Sequence, residues 1–110
     1  MILVIGGAYQ GKKAFAMQLA SEMSYEIIDQ FQDCVRKQME EEIPLEPFLE
    51  ELVKKNPHTV IVMDEVGCGI VPMKAQDREY REWVGAAGQF LAKEAEKVYR
   101  VMCGIGVQIK

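Results

Sequence analysis

The hydrophobic positions of the chain change period several times, and each change predicts an element. Ile2 to Ile5 is a continuous apolar run stopped by Gly6 and Gly7, the pattern of a buried strand entering a tight turn. From Lys12 to Met23 the period lengthens. Phe15, Leu19 and Met23 recur every four residues with Ala16 and Ala20 beside them, which predicts a helix. Tyr25 to Ile28 offers a weaker strand. Asp29 followed by Gln32 has the form of a capping box, and Phe31, Cys34, Val35, Gln38 and Met39 then keep helical spacing. The clearest helix carries Leu45, Phe48, Leu49, Leu52 and Val53 on one face. It starts near Pro44 and stops at Lys54-Lys55-Asn56-Pro57, where basic groups suit the helix dipole and proline blocks continuation.

Thr59 to Met63 (TVIVM) is β-branched and apolar, too short for a helix, and reads as a central strand. Val66 to Pro72 is a glycine-rich loop. A long helix is predicted from about Ala75 to Lys97, with Tyr80, Trp83, Val84, Ala87 and Leu91 inward. Val98 to Met102 and Val107 to Ile109 read as two last strands around Gly104-Ile105-Gly106. Strands alternating with helices predict an α/β domain with a largely parallel sheet. At 110 residues the chain has room for one core, so residues 1–110 are expected to form a single domain.

Composition narrows the function classes. With 49% hydrophobic and 27% charged residues, the chain has the make-up of an ordinary globular protein. Its net charge of −4 and the absence of a Lys/Arg cluster argue against a nucleic-acid partner. The acids at Glu40-Glu41-Glu42, Glu46, Glu50 and Glu51 read as a solvated helix face. Cys34, Cys68 and Cys103 are odd in number and widely spaced, which suits free thiols in a reducing cytoplasm. The opening MILVI is too short for a signal-peptide core, and no stretch reaches the length of a membrane span, so a cytoplasmic location without a membrane partner is expected.

The candidate chemistry lies between the first strand and the first helix. Gly6-Gly7-Ala8-Tyr9-Gln10-Gly11-Lys12-Lys13 fits G-x-x-x-x-G-K but has Lys13 where Ser or Thr is usual. Glycines let backbone N–H groups curl around phosphate oxygens, the helix N-terminus adds partial positive charge, and Lys12 would reach the β- and γ-phosphates. Asp64 and Glu65 follow the TVIVM strand, where phosphoryl-transfer enzymes keep an acid for Mg2+ and a second to orient a nucleophile. Lys13 conflicts with the metal. An ammonium about 5 Å from a dication is repelled by roughly 6 kcal/mol at an effective dielectric of about 20. Its stem is therefore expected to swing toward solvent, with water replacing the lost ligand.

Three separated motifs, MILVIGGAYQGKK, DEVGCGIVP and VMCGIGVQIK, occur in order, with the YREWVGAAGQFLAKEAEKV helix between the last two. Together they resemble the adenosylcobinamide kinase/adenosylcobinamide-phosphate guanylyltransferase family, whose loops read much like G-G-A-R-S-G-K-S, N-E-V-G-x-G-I-V-P and S-G-I-G-V-x-I-K. The resemblance implies a P-loop NTPase-like, three-layer α/β fold and phosphoryl transfer from ATP or GTP to the hydroxyl of adenosylcobinamide. It also implies a second activity, GMP transfer through a guanylylated histidine. Carried over by motif, Gly6, Gly7, Gly11 and Lys12 bind phosphate, and Glu65 matches the family's acid, while Asp64 stands where Asn is usual. The nucleotide-binding set is then Gly6, Gly7, Ala8, Tyr9, Gln10, Gly11, Lys12 and Lys13, with Lys12 and Glu65 catalytic and Asp64 toward Mg2+. A nucleotide and a corrinoid are the implied small-molecule partners, and the family's tendency to assemble implies a homo-oligomer.

This chain is much shorter than the family between its first helix and TVIVM, the region carrying the family's histidine. Its one histidine, His58, reads as a loop residue beside the later strand. The family's G-R-x-N-Q stretch appears as Gly85-Ala86-Ala87-Gly88-Gln89, without its Arg and Asn. Guanylyl transfer is therefore expected to be lost. The competing expectation is a non-catalytic nucleotide-binding or regulatory protein of the corrinoid pathway. Cys68 reads as a small residue filling a turn, and several of the seven methionines as core on helical positions.

Overall fold

The computed structural model describes residues 1–65 and 75–110. The elements run β1 (Ile2–Gly6), α1 (Lys12–Met23), β2 (Glu26–Ile28), α2 (Phe31–Glu40), α3 (Leu45–Lys55), β3 (Thr59–Asp64), α4 (Ala75–Glu94), β4 (Lys97–Met102) and β5 (Ile105–Gln108). The strands form one sheet in the order β2-β3-β1-β4-β5. Pairing is parallel from β2 through β4, and β5 returns antiparallel to β4. The α/β fold expected from the sequence is thus present.

Period-two alternation along the buried strands divides the core between the two sheet faces. Ile2, Val4, Val60, Val62 and Val101 pack with Ala16 and Ala20 of α1. Leu3, Ile61, Met63 and Val98 face the other way, against Phe31 and Val35 of α2, Leu49 of α3, and Val84, Ala87 and Leu91 of α4. Among the described residues one helix therefore covers one face and three cover the other, giving three layers. Val60, Ile61 and Val62 are at most 1% exposed, and each contributes about 1.5–3 kcal/mol by leaving water.

Four local expectations change. On α1 the deepest line is Lys12, Ala16 and Ala20, while Phe15, Leu19 and Met23 pack half-buried at its flanks. Small side chains allow the helix to lie close on the sheet, and Lys12 shares their buried face. The capping box does not form. Gln30 caps α2 in a left-handed conformation (φ 49°), Asp29 Oδ1 accepts from the Gln30 N–H at 2.9 Å, and the Gln32 side chain turns to Asp64. The long helix stops at Glu94, because Lys97 already pairs with Ile2 as the first residue of β4. β5 begins at Ile105 because Cys103 and Gly104, with φ 51° and 76°, make a two-residue turn that pairs Met102 with Ile105. The predicted 66–72 loop, with Cys68, lies outside the described residues. Among the described residues no helix is long and apolar enough to cross a membrane.

Candidate functional site

The order β2-β3-β1 brings the carboxyl ends of three parallel strands side by side, where ligand crevices form in open α/β sheets. The Gly6–Lys13 loop leaves β1 at this edge. Gly6 is required by close approach, since a Cβ there would lie 2.5 Å from the Val101 carbonyl oxygen. Gly11 takes φ 87° as it enters α1, a conformation that other residues rarely adopt. Between them Tyr9 also has positive φ (61°) and stands fully exposed. Gln10 braces the loop against the β4–β5 turn. Its side-chain oxygen accepts from the Cys103 N–H at 2.8 Å, and its carbonyl accepts from the Gly104 N–H at 2.7 Å.

Lys12 is the convergence point. Carried on the buried face of α1, it is only 7% exposed. Its ammonium donates to the Gly7 carbonyl at 2.7 Å and pairs with Asp64 Oδ1 at 2.6 Å. Asp64 is held from its other side by Gln32. The Gln32 Nε2 donates to Asp64 Oδ2 at 3.2 Å, and the Asp64 N–H donates to Gln32 Oε1 at 3.1 Å. Both carboxylate oxygens of Asp64 are therefore engaged, one by a cation and one by an amide.

A cleft of about 340 Å³ opens beside this cluster, lined by Ala8, Tyr9, Lys12, Lys13, Asp29, Gln30, Gln32, Val62 and Asp64. Lys13 is largely exposed, and its ammonium lies 3.9 Å from Asp29 Oδ2. Two ammoniums thus face two carboxylates. Asp29 and Gln32, whose spacing predicts a helix cap, instead line this cleft. One signal was available: Asp29 directly follows β2 as Asp64 closes β3.

Glu65 lies just past the end of β3, its N–H donating to the Gly6 carbonyl at 2.7 Å. Its carboxylate meets the Arg100 guanidinium in a two-point contact, Nε to Oε1 at 2.9 Å and Nη2 to Oε2 at 3.0 Å. Nothing in the local sequence pattern singles out Arg100. A mostly apolar cavity of about 350 Å³ on the α4 side includes Leu3, Ile5, Met63, Gly88, Asp64 and Glu65 in its lining. Asp64 lines both cavities. His58 is remote from these groups. It sits before β3, at the opposite end from Asp64, and its ring meets Tyr25 edge-on at 5.4 Å.

The donor set does not suit Mg2+. Position 13 offers an ammonium in place of a hydroxyl, both Asp64 oxygens have partners, and Asp29 Oδ1 accepts from Gln30 while Oδ2 faces Lys13. A dication would compete with a lysine at either acid.

The family model described as cobinamide kinase / cobinamide phosphate guanyltransferase matches residues 28–109. The chain belongs to that family. The match includes Asp29, Gln32, Asp64, Glu65 and Arg100 but begins after the Gly6–Lys13 loop, whose likeness to a phosphate loop rests on its own sequence and geometry. Over 51 residues the chain is 47% identical to the bifunctional adenosylcobalamin biosynthesis protein CobU of Salmonella typhimurium, and equally to that of Escherichia coli. The aligned stretch is 46% of this chain and 28% of each relative, so it spans under a third of the curated family members.

Proposed function

We propose that this family member binds the phosphates of GTP or ATP at the Gly6–Lys13 loop and transfers a phosphoryl group to a cobinamide-type hydroxyl in cobalamin biosynthesis. The observation that carries the reading is Lys12, a buried ammonium aimed between the Gly7 carbonyl and Asp64 at the start of a helix. Backbone N–H groups from Gly6 to Lys12 would cradle the phosphates with the helix dipole behind them, and the third N–H of the Lys12 ammonium, beyond those given to Gly7 and Asp64, would meet a phosphate oxygen. The acceptor oxygen attacks the γ-phosphorus as the bond to the β-phosphate oxygen breaks, and the hydroxyl proton passes to Glu65. Arg100 fixes the direction of that carboxylate. Such chemistry depends mainly on positioning and on stabilising spread charge, which fits a site made of one loop and a few side chains.

Guanylyl transfer is not part of this reading, because His58 packs on Tyr25 at the far end of β3. The test combines purified protein, radiolabelled GTP or ATP, and cobinamide. Labelled corrinoid above the Lys12→Ala background supports transfer, and none above it rejects transfer.

A second reading, a non-catalytic nucleotide-binding or regulatory protein of the corrinoid pathway, is favoured by Lys13, an ammonium facing Asp29 where a metal-binding hydroxyl is usual. Calorimetry separates the two. Nucleotide binding with no turnover selects the second.

A further inference from the structure

We infer that Lys13 serves as a built-in cation in place of a divalent metal, so that the loop takes the polyphosphate of a nucleotide free of magnesium rather than as its magnesium complex. This inference rests on the phosphate-binding reading above and specifies the form of ligand that the site selects.

The argument begins with position. Lys12 and Lys13 open α1, where the helix N-terminus already favours negative charge. They diverge from there. Lys12 turns inward to Asp64 at the end of β3, and Lys13 reaches across the cleft toward Asp29, just beyond β2. The two strands pair in parallel, Ile28 beside Ile61, so both acids lie at the same sheet edge. Each is met by one ammonium. A magnesium ion entering this cleft would meet two positive groups, and Asp64 already has both oxygens engaged by Lys12 and Gln32.

A polyphosphate without magnesium finds donors here: an ammonium with one N–H to spare, a second ammonium on an exposed stem, and the loop N–H groups. It carries the full negative charge of its oxygens and can draw on both lysines and the loop N–H groups together. The two ion pairs differ in how readily they yield. Lys12 is buried, short in its contact with Asp64 and anchored to Gly7 as well. Lys13 has a side chain 71% exposed and stands 3.9 Å from Asp29, a pairing of the kind that adds little stability. Its long stem can leave Asp29 for phosphate at small cost, keeping the charge that a metal would otherwise supply.

Isothermal titration calorimetry with GTP and with inorganic tripolyphosphate tests this, each in excess EDTA and in excess magnesium, on the intact chain and on Lys13→Ser and Lys13→Met. The intact chain is expected to bind both probes at least as tightly in EDTA as in magnesium. Lys13→Met should weaken metal-free binding by about tenfold, the scale of one lost charge contact. Lys13→Ser should lose metal-free affinity likewise and become tighter in magnesium than in EDTA. Thermal unfolding matching the intact chain confirms that both variants fold, as expected for an exposed side chain. Magnesium-tightened binding by the intact chain, or unchanged metal-free affinity in Lys13→Met, overturns the inference and leaves phosphate binding standing. No heat with either probe in either condition overturns both.

Discussion

Gln32 and Asp64, thirty-two residues apart in the chain, meet through a reciprocal pair of hydrogen bonds, amide nitrogen to carboxylate and backbone N–H to amide oxygen. This pair fixes the carboxylate so that its second oxygen meets Lys12. Gln32→Ala should lower stability by about 1–2 kcal/mol, because a half-buried N–H and a carboxylate oxygen lose their partner. Gln32→Glu should cost more, since it sets one carboxylate against another. Urea unfolding of both variants checks the order. Equal stability of all three proteins would show that this pair does not hold Asp64.

Lys12→Met keeps the apolar stem and removes the charge. Nucleotide affinity is expected to fall at least about tenfold in calorimetry, a loss of roughly 1.4 kcal/mol or more. Stability should fall by about 1–2 kcal/mol, moderated because water still reaches the Asp64 left without its cation. Unchanged nucleotide affinity would remove Lys12 from the phosphate site.

Arg100→Ala separates orientation from stability. The ion pair with Glu65 is partly exposed, so unfolding should change by less than about 1 kcal/mol. If Glu65 receives the acceptor proton, corrinoid labelling should drop by a larger factor, and Arg100→Lys should restore only part of it because an ammonium cannot make the two-point contact. Full activity in Arg100→Ala would leave Glu65 without need of its orienting partner.

Thiol chemistry gives a pH-dependent prediction. Burial pushes the Cys34 thiol up from its ordinary range, and the Asp33 carboxylate adds to that shift. A raised pKa means less thiolate at a given pH, so Cys34 in the folded chain should react slowly with iodoacetamide near neutrality. Its rate should keep climbing past about pH 8.5, where a free thiol begins to level off. Exposed Cys103 should be modified before Cys34 at neutral pH. Peptide mass spectrometry at a series of pH values reads both sites, and equal early labelling of Cys34 would contradict its partial burial and raised pKa.

At the β4–β5 turn, Cys103 adopts φ 51° ahead of Gly104 at 76°. Asn suits such a position better than Cys, and Asn-Gly is the preferred pair for this hairpin turn. Cys103→Asn should therefore stabilise the fold by about 0.5 kcal/mol, roughly 2–4 °C in Tm. The backbone contact from residue 103 to Gln10 is retained in the variant. A lower Tm would point to a packing role for the Cys103 sulfur.

The strands and helices were legible along the chain because their signals are local. TVIVM can satisfy its β-branched side chains only in a buried strand, and the Leu45–Val53 stripe repeats at helical period whatever it packs against. The loop was legible for the same reason: glycine spacing, a preceding apolar run and Lys12 all fall within a dozen residues. Their partners were not. Asp29 and Gln32 matched a helix cap by spacing, but Gln32 gains two hydrogen bonds from Asp64 and leaves the cap to Gln30. Arg100 gave no signal, since a charge on a strand acquires a partner only when β4 is laid beside β1 and Glu65 follows the neighbouring β3. Local preference selects the elements, whereas a side chain's partner depends on which strand ends share an edge. That is set by the parallel order β2-β3-β1-β4, formed by contacts between residues far apart in the chain.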